Sequence, residues 1–406
     1  MTLDIQKIRN DFPILSQQVN GKPLVYFDNG ATTQKPQQVI DAVSSYYQTT
    51  NSNVHRGAHT LSDQATGLFE EARVTVQKFL NAQHSHEIIW TRGTTESINL
   101  VANSWGGANL KAGDEVIVSA MEHHANIVPW QMICEHTGAT LKVIPVKENG
   151  ELDYQGYLEL LSSNTKLVAC VHVSNALGTL NPVKDIIREA KKVGAVTLID
   201  GAQSVAHWAI DVQDLDCDFF AFSGHKLFAP TGIGALYGKE ALLNAMPPYQ
   251  TGGEMIEHVS FEKTTFNVLP YKFEPGTPNI SGVIGLAAAI EYLNGLDRVA
   301  LAQHEDLLLQ TANELAAQTD GIRLIGTAEK KASVFSFLID GAHPADVGTL
   351  LDQQGIAVRT GHHCAMPIMD QFQIPGTVRA SFTFYNTVDE VKQLFNAIEK
   401  VKMFLL

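Results

Sequence analysis

From about residue 85 the chain alternates short apolar runs with longer amphipathic ones, and this alternation restricts the fold more than any other feature. EIIWT (87–91) predicts a strand and TTESINLVANSW a helix; EVIVSA (115–120) predicts a strand and ANIVPWQMICEHTG a helix closed by Gly138. TLKVIPV, KLVACVHV, AVTLID, DFFAFS and GIGALYG are strand-like as well, with VKDIIREAKKVG helical between two of them. That makes seven strand candidates, apolar on both faces and interleaved with helices. Such a pattern predicts an α/β fold with a mostly parallel sheet covered on both sides. In such sheets ligands gather beyond the carboxyl ends of the strands.

After about residue 295 the character changes. A long helix is predicted through RVALAQHEDLLLQTANELAAQ, then the strand SVFSFLID, a helix in PADVGTLLDQQG, IAVRTG, VRASFTFYN and a last helix in VDEVKQLFNAIEKVKMFLL. This reads as a smaller α+β unit. The expected division is an N-terminal arm and helix over 1–25 packed with the small unit, a large domain over 26–294 and a small C-terminal domain over 295–406.

Bulk properties narrow the function. The chain has 406 residues, 45% hydrophobic and 18% charged, with a formal net charge of −14. That is an ordinary enzyme composition, and it argues against a nucleic-acid binder, which needs clustered Lys and Arg. No stretch is apolar for the roughly 20 residues that span a bilayer. The start, MTLDIQKIRNDFPIL, lacks the apolar core of a secretory signal. Four widely spaced cysteines do not form a disulfide framework, so the expected setting is reducing and cytoplasmic.

Chemistry collects at the predicted strand ends. DFFAFSGHKLFAPTGIGALYG (218–238) runs an apolar strand into Ser223, Gly224, His225 and Lys226. An ammonium at the end of a buried strand is costly to desolvate. Either Lys226 reaches solvent, or its lowered pKa serves Schiff-base chemistry on an aldehyde. AVTLIDGAQS places Asp200 at the end of another apolar strand, with Gln203 nearby. Pyridoxal phosphate needs such a carboxylate against its pyridine nitrogen, although a helix-capping aspartate has the same signature. VSAMEHHAN offers His123 and His124, whose imidazoles could stack on a planar cofactor or simply occupy a loop. TRGTTES places Thr94 and Thr95 at a helix start, where hydroxyls and free N–H groups suit a phosphate or merely cap the helix. A zinc site is disfavoured. The HH pair at 123–124 and HHC at 362–364 supply ligand types, but adjacent residues on extended chain point apart, and no C-x-x-C or H-x-x-x-H spacing occurs.

Of the four cysteines, Cys134, Cys170 and Cys217 sit among apolar neighbours. Cys364, in RTGHHCAMP (359–367), does not; its Gly-His-His setting is one where a thiol can ionise and react. An inert surface thiol is the alternative.

Taken together these runs resemble a known family. SGHK after an apolar strand, with DGAQ upstream, is similar to the class V aminotransferase group of fold-type I pyridoxal-phosphate enzymes. NVHRGAHTLS (53–62), RGTTESINLVA (92–102), MEHHANIVPWQ (121–131), HVSNALGT (172–179), EPGTPN (274–279) and RTGHHCAMP resemble its cysteine desulfurases of the SUF type (SufS-like). The resemblance extends from Phe27 to the last helix. It implies pyridoxal 5′-phosphate on Lys226, with Asp200 at the pyridine nitrogen, Gln203 at the phenolic oxygen and His123 stacked on the ring. Thr94, Thr95, Ser223 and His225 are implied at the phosphate, joined by Thr277 across a homodimer interface. Asn175 and Arg379 are implied to clamp the substrate carboxylate, aided by Arg359. His55 and Arg56 are implied near the partner's cofactor. Gly30, in DNGATT (28–33), stands where related chains often carry alanine, close to the substrate.

The implied reaction converts L-cysteine to L-alanine and leaves the sulfur on Cys364 as a persulfide. A small SufE- or SufU-like acceptor would then carry it toward iron–sulfur cluster assembly. Selenocysteine lyase activity is one alternative within the class. An aminotransferase would leave Cys364 idle. A non-catalytic sulfur-relay scaffold would not need Lys226, Asp200 and Cys364 together. A dinucleotide enzyme lacks its G-x-G-x-x-G.

Overall fold

The computed structural model describes residues 4–406; the first three positions of the expected N-terminal arm lie outside the described residues. Seven strands form the main sheet: β1 (Ile88–Thr91), β2 (Glu115–Ser119), β3 (Thr140–Ile144), β4 (Thr165–Val171), β5 (Val196–Asp200), β6 (Phe219–Ser223) and β7 (Gly234–Gly238). Their spatial order is β1-β7-β6-β5-β4-β2-β3. All neighbours are parallel except β7, which runs antiparallel to both β1 and β6. The α/β fold with a mostly parallel seven-stranded sheet is therefore the one expected. The carboxyl ends of β1, β2, β4, β5 and β6 all face one side.

The central strands β4, β5 and β6 are buried along almost all their length, as their unbroken apolar sequences require, and so is the edge strand β1. β3, at the opposite edge, leaves Thr140 and Val143 exposed, so its apolar run is covered less than expected. The helix Val128–Thr137 ends as predicted, with Gly138 in the left-handed conformation at φ 76°. It starts later than the pattern implied. Pro129 in its first turn defines the start, and His124–Asn126 forms a separate short 3-10 turn.

A second, antiparallel sheet has the order β8-β9-β11-β10, from β8 (Ile322–Leu324), β9 (Val334–Ile339), β10 (Arg359–Gly361) and β11 (Thr377–Ser381). It packs with the helices Arg298–Ala317, Pro344–Asp352 and Val388–Leu405 around its own apolar core, which includes Leu308, Phe337, Val378 and Leu394. IAVRTG, read as one strand, is two. Ile356–Ala357 pairs in parallel with Val25–Tyr26, and Arg359–Gly361 turns onto β11. Residues 25–28 thus hydrogen-bond with the second sheet's unit before the chain enters the first. Phe12 of the arm lies at the seam, its ring against Phe228, Tyr292, Phe384 and Tyr385. No helix among the described residues is long and apolar enough to cross a membrane.

Candidate active site

Between the two sheets lies a cavity of about 300 Å³, and thirteen of the sixteen sequence-predicted site residues line it. From the strand ends of the main sheet come Thr94 and Thr95, His123, Asn175, Asp200 and Gln203, and Ser223, His225 and Lys226. The second sheet's unit supplies Arg359, Cys364 and Arg379; Gly30 arrives on the segment that follows residues 25–28. Among the described residues no group of His, Cys, Asp or Glu gathers to hold a metal.

Lys226 is half-buried, and desolvation pulls its pKa down to about 8 against the opposing pull of the Asp200 carboxylate. Asp200 is buried. Desolvation raises its pKa, resisted by the N–H of Ala202, which donates to Oδ1 at 2.9 Å. A lysine with a depressed pKa thus faces a buried carboxylate across the cavity, while that carboxylate also holds the local Ala202 N–H.

His123 is half-enclosed. Its Nδ1 accepts from the Ala125 N–H at 3.0 Å, and burial, then the charge of Lys226, hold its pKa at about 4. The ring is therefore neutral at pH 7, which suits stacking on a flat π-system. Behind it, Glu122 is fully buried and accepts from Ser119 Oγ at 2.5 Å, Asn126 Nδ2 at 2.7 Å and the Val171 N–H at 2.8 Å. Desolvation raises its pKa to about 8.

At the end of β1 the backbone must open to admit a side chain from β6. Ser223 Oγ accepts from the Thr94 N–H at 2.9 Å and pairs with Thr94 Oγ1 at 2.9 Å. Gly93 permits this approach: its φ is 146°, and a Cβ there would stand 2.9 Å from Ser223 Oγ.

Two arginines share one carboxylate. Arg359 makes a two-point pair with Asp28, at 3.0 and 2.8 Å. Arg379 reaches Asp28 at 3.3 Å and donates to the Asn175 carbonyl at 2.9 Å. Burial pulls the Arg379 pKa down to about 10. Its Nε and the Asn175 Oδ1 are buried without a partner, which marks a place where a polar ligand would satisfy the wall. Gly30 faces this pair; a Cβ would stand 3.2 Å from the Arg379 guanidinium carbon.

Cys364 is exposed, whereas Cys134, Cys170 and Cys217 are buried. His363 and Cys364 both take positive φ, 53° and 55°. Each such non-glycine residue costs about 1 kcal/mol or more, so the loop must be held. His363 Nε2 bonds Thr377 Oγ1 at 2.8 Å, and its carbonyl accepts from Asn175 Nδ2 at 2.6 Å.

Thr277, His55 and Arg56 do not join this cavity within one chain. Thr277 lines another, of about 320 Å³, with Arg92 and Glu96. His55 Nε2 pairs with Glu70 at 2.8 Å, and Arg56 with Glu254 at 3.1 Å. Sequence reasoning missed other residues altogether. The His225 carbonyl accepts from the Thr33 N–H at 3.0 Å, Thr32 Oγ1 at 3.0 Å, Thr33 Oγ1 at 3.2 Å and Lys35 Nζ at 2.9 Å. Burial draws Lys35 down to about 7. The signal was the polar run TTQK, but nothing local says that it folds onto residue 225.

This donor set fits a phosphorylated aromatic aldehyde. A lysine of depressed pKa can take the aldehyde, a carboxylate can face the ring nitrogen, and hydroxyls beside a helix start can take the phosphate.

The aminotransferase class-V family profile matches residues 25–394. A cysteine desulfurase of Synechococcus elongatus is 54% identical over 399 residues, covering 98% of this chain and 64% of that protein, so the chain spans about two thirds of that relative's length. A probable cysteine desulfurase of Vibrio cholerae is 54% identical over 400 residues, with 98% and 99% covered. The crystal structure of the cysteine desulfurase CsdA of Escherichia coli superposes with a TM-score of 0.93 at 40% identity, covering 100% of both chains. Pyridoxal 5′-phosphate is the cofactor of this family. By fold, by length of match and by identity, the chain belongs to the aminotransferase class-V family and, within it, to the cysteine desulfurases.

Proposed function

We propose that this protein takes the sulfur of L-cysteine onto Cys364 and releases L-alanine. The observation that carries the reading is the meeting of Lys226, Asp200 and Cys364 on one cavity, contributed by two different sheets' units. In this reading Lys226 is the attachment point of the cofactor, Asp200 faces the ring nitrogen, Gln203 the phenolic oxygen, and neutral His123 covers the ring. Thr94, Thr95, Ser223 and His225 hold the phosphate. When bound, pyridoxal phosphate supplies an electron sink that acidifies the substrate's α-hydrogen and weakens the carbon–sulfur bond. Arg379 and Asn175, aided by Arg359, orient the substrate carboxylate; the unpartnered Arg379 Nε supports this. Lys226, with its depressed pKa, carries the proton at the α-carbon.

The Cys364 thiolate then attacks the substrate sulfur. The new S–S bond forms as the carbon–sulfur bond breaks, the carbon keeps the bonding pair and takes a proton, and the enzyme holds a persulfide. One cysteine and one thiol thus become one alanine and one persulfide, with no external oxidant. The exposed loop that carries Cys364 suits delivery to a small acceptor protein, SufE- or SufU-like, that feeds iron–sulfur cluster assembly. Selenocysteine lyase activity is the alternative within the class, the carbon–selenium bond being the weaker one to break.

The same reading makes 26–294 and 295–406 the large and small domains, with 1–25 as an arm across their seam. It takes the enzyme as a cytoplasmic homodimer in which Thr277, His55 and Arg56 serve the partner's site. The buried, unpaired state of Cys134, Cys170 and Cys217 supports a reducing compartment.

Cys364→Ala tests the reading. Adding L-cysteine should still change the absorption spectrum, because Lys226, Asp200 and the carboxylate clamp are untouched. Alanine release should fall by about 100-fold or more, the usual scale for losing a nucleophile. Alanine formed from L-cysteine at the wild-type rate would refute it.

A further inference from the structure

His124 follows the half-enclosed His123 in sequence, yet it faces away from the cofactor side of the site and toward the Cys364 loop. Its backbone N–H donates to the Cys364 carbonyl at 2.7 Å. Its ring Nε2 accepts from the Met366 N–H at 3.1 Å. That N–H opens the helix Met366–Gln371 and has no partner within the helix, so the ring serves as its cap. The His124 ring also packs on His362, with centroids 5.7 Å apart. His362 Nδ1 in turn accepts from the Cys364 N–H at 3.2 Å. Both polar backbone atoms of Cys364 are thus held, one directly by His124 and one through the ring that His124 supports.

We propose that His124 is a positioning residue, the latch that holds the strained Cys364 loop against the main sheet's unit and fixes where the thiol stands relative to the site. The inference rests on reading Cys364 as the sulfur-accepting thiol. Two adjacent residues then divide the work. His123 lines the cofactor cavity, and His124 sets the nucleophile's loop, so cofactor and thiol share one rigid support at the end of β2. The loop needs such a latch because His363 and Cys364 both hold positive φ. Its other anchors, Asn175 and Thr377, act on His363 and leave Cys364 and Met366 to His124. A ring nitrogen that accepts must be unprotonated. Burial, then the neighbouring His362, lower the His124 pKa and keep it so at pH 7.

Amide hydrogen exchange of the holoenzyme, read at Met366, tests the latch. In His124→Ala the Met366 amide should exchange about tenfold faster or more, while amides of the main sheet keep their protection. His124→Phe keeps ring volume without the acceptor and should show the same loss. His124→Gln, whose side-chain oxygen can accept, should restore part of the protection. In the kinetics, KM for L-cysteine should stay near wild type, while the rate of alanine formation falls about tenfold in the Ala and Phe variants. Unchanged Met366 exchange in both variants would overturn the latch. So would loss of protection spread evenly through the molecule in both, since that describes a folding residue. Failure of the underlying reading looks different: Met366 loses protection as predicted, but Cys364→Ala still releases alanine at the wild-type rate. That pair of results would overturn the role of Cys364 and with it the positioning role, leaving only a loop anchor.

Discussion

Glu122 shows how far a single side chain can depart from its solution behaviour. It accepts three hydrogen bonds yet is fully buried beside Asp200, and desolvation raises its pKa from 4.5 to about 8. The sign of the consequence follows from proton counting. Between pH 4.5 and 8 the unfolded chain has lost this proton while the folded chain keeps it, so stability falls as pH rises through that window. Glu122→Gln carries no such proton. Its stability relative to wild type should therefore grow from pH 5 to pH 8, by on the order of 2–4 kcal/mol. Urea unfolding of both proteins at the two pH values measures this, and a constant difference between them would show that Glu122 is ionised when folded. Lys226 belongs to the same class of residue. Burial displaces its pKa in the opposite direction, down to about 8, and in the proposed function that shift suits proton transfer at the substrate.

Among the elements, the strand-to-helix junctions carry the site and the helix ends carry much of the local specification. Thr387 and Glu390 form a reciprocal cap at the start of the last helix, and Arg9 of the arm pairs with the same Glu390 at 2.8 Å. Gly138 ends the helix after His124 in the left-handed region, where a Cβ would also stand 3.2 Å from the Ala112 Cβ. Gly138→Ala should cost about 1–2 kcal/mol through both effects. The expected result is a lower urea midpoint with an unchanged slope and an unchanged rate per folded molecule. Equal stability would mean that the helix end adjusts freely.

At the scale of the whole molecule, a single chain builds a cavity from two units but leaves Thr277, His55 and Arg56 outside it. The proposed homodimer accounts for them. Lys226→Ala should abolish turnover, and Thr277→Ala should weaken cofactor retention about tenfold through loss of one phosphate hydrogen bond. Mixed and allowed to exchange protomers, the two variants should form hybrid dimers in which one site regains both groups. Recovery of bound cofactor, measured by absorbance after gel filtration, would confirm the shared site. A monomer with full activity would exclude it.

The order of strands and helices, the parallel sheet and the polar side chains gathered at its ends were legible in the sequence, because buried strands need unbroken apolar runs and polar side chains stand out against them. The split of IAVRTG was not legible, since a two-residue parallel pairing with Val25–Tyr26 leaves no local pattern. The roles of TTQK at the His225 carbonyl, of His124 at Met366, and of Asp28 between two arginines were equally hidden. Each is a hydrogen bond across 190 or more positions, and a neutral histidine or a polar threonine reads alike whether it caps a distant backbone or faces water. Periodicity reports which way a side chain points within its own element. Only packing of the two units against each other decided which of those side chains meet, and therefore which buried groups are desolvated enough to have their proton affinities moved.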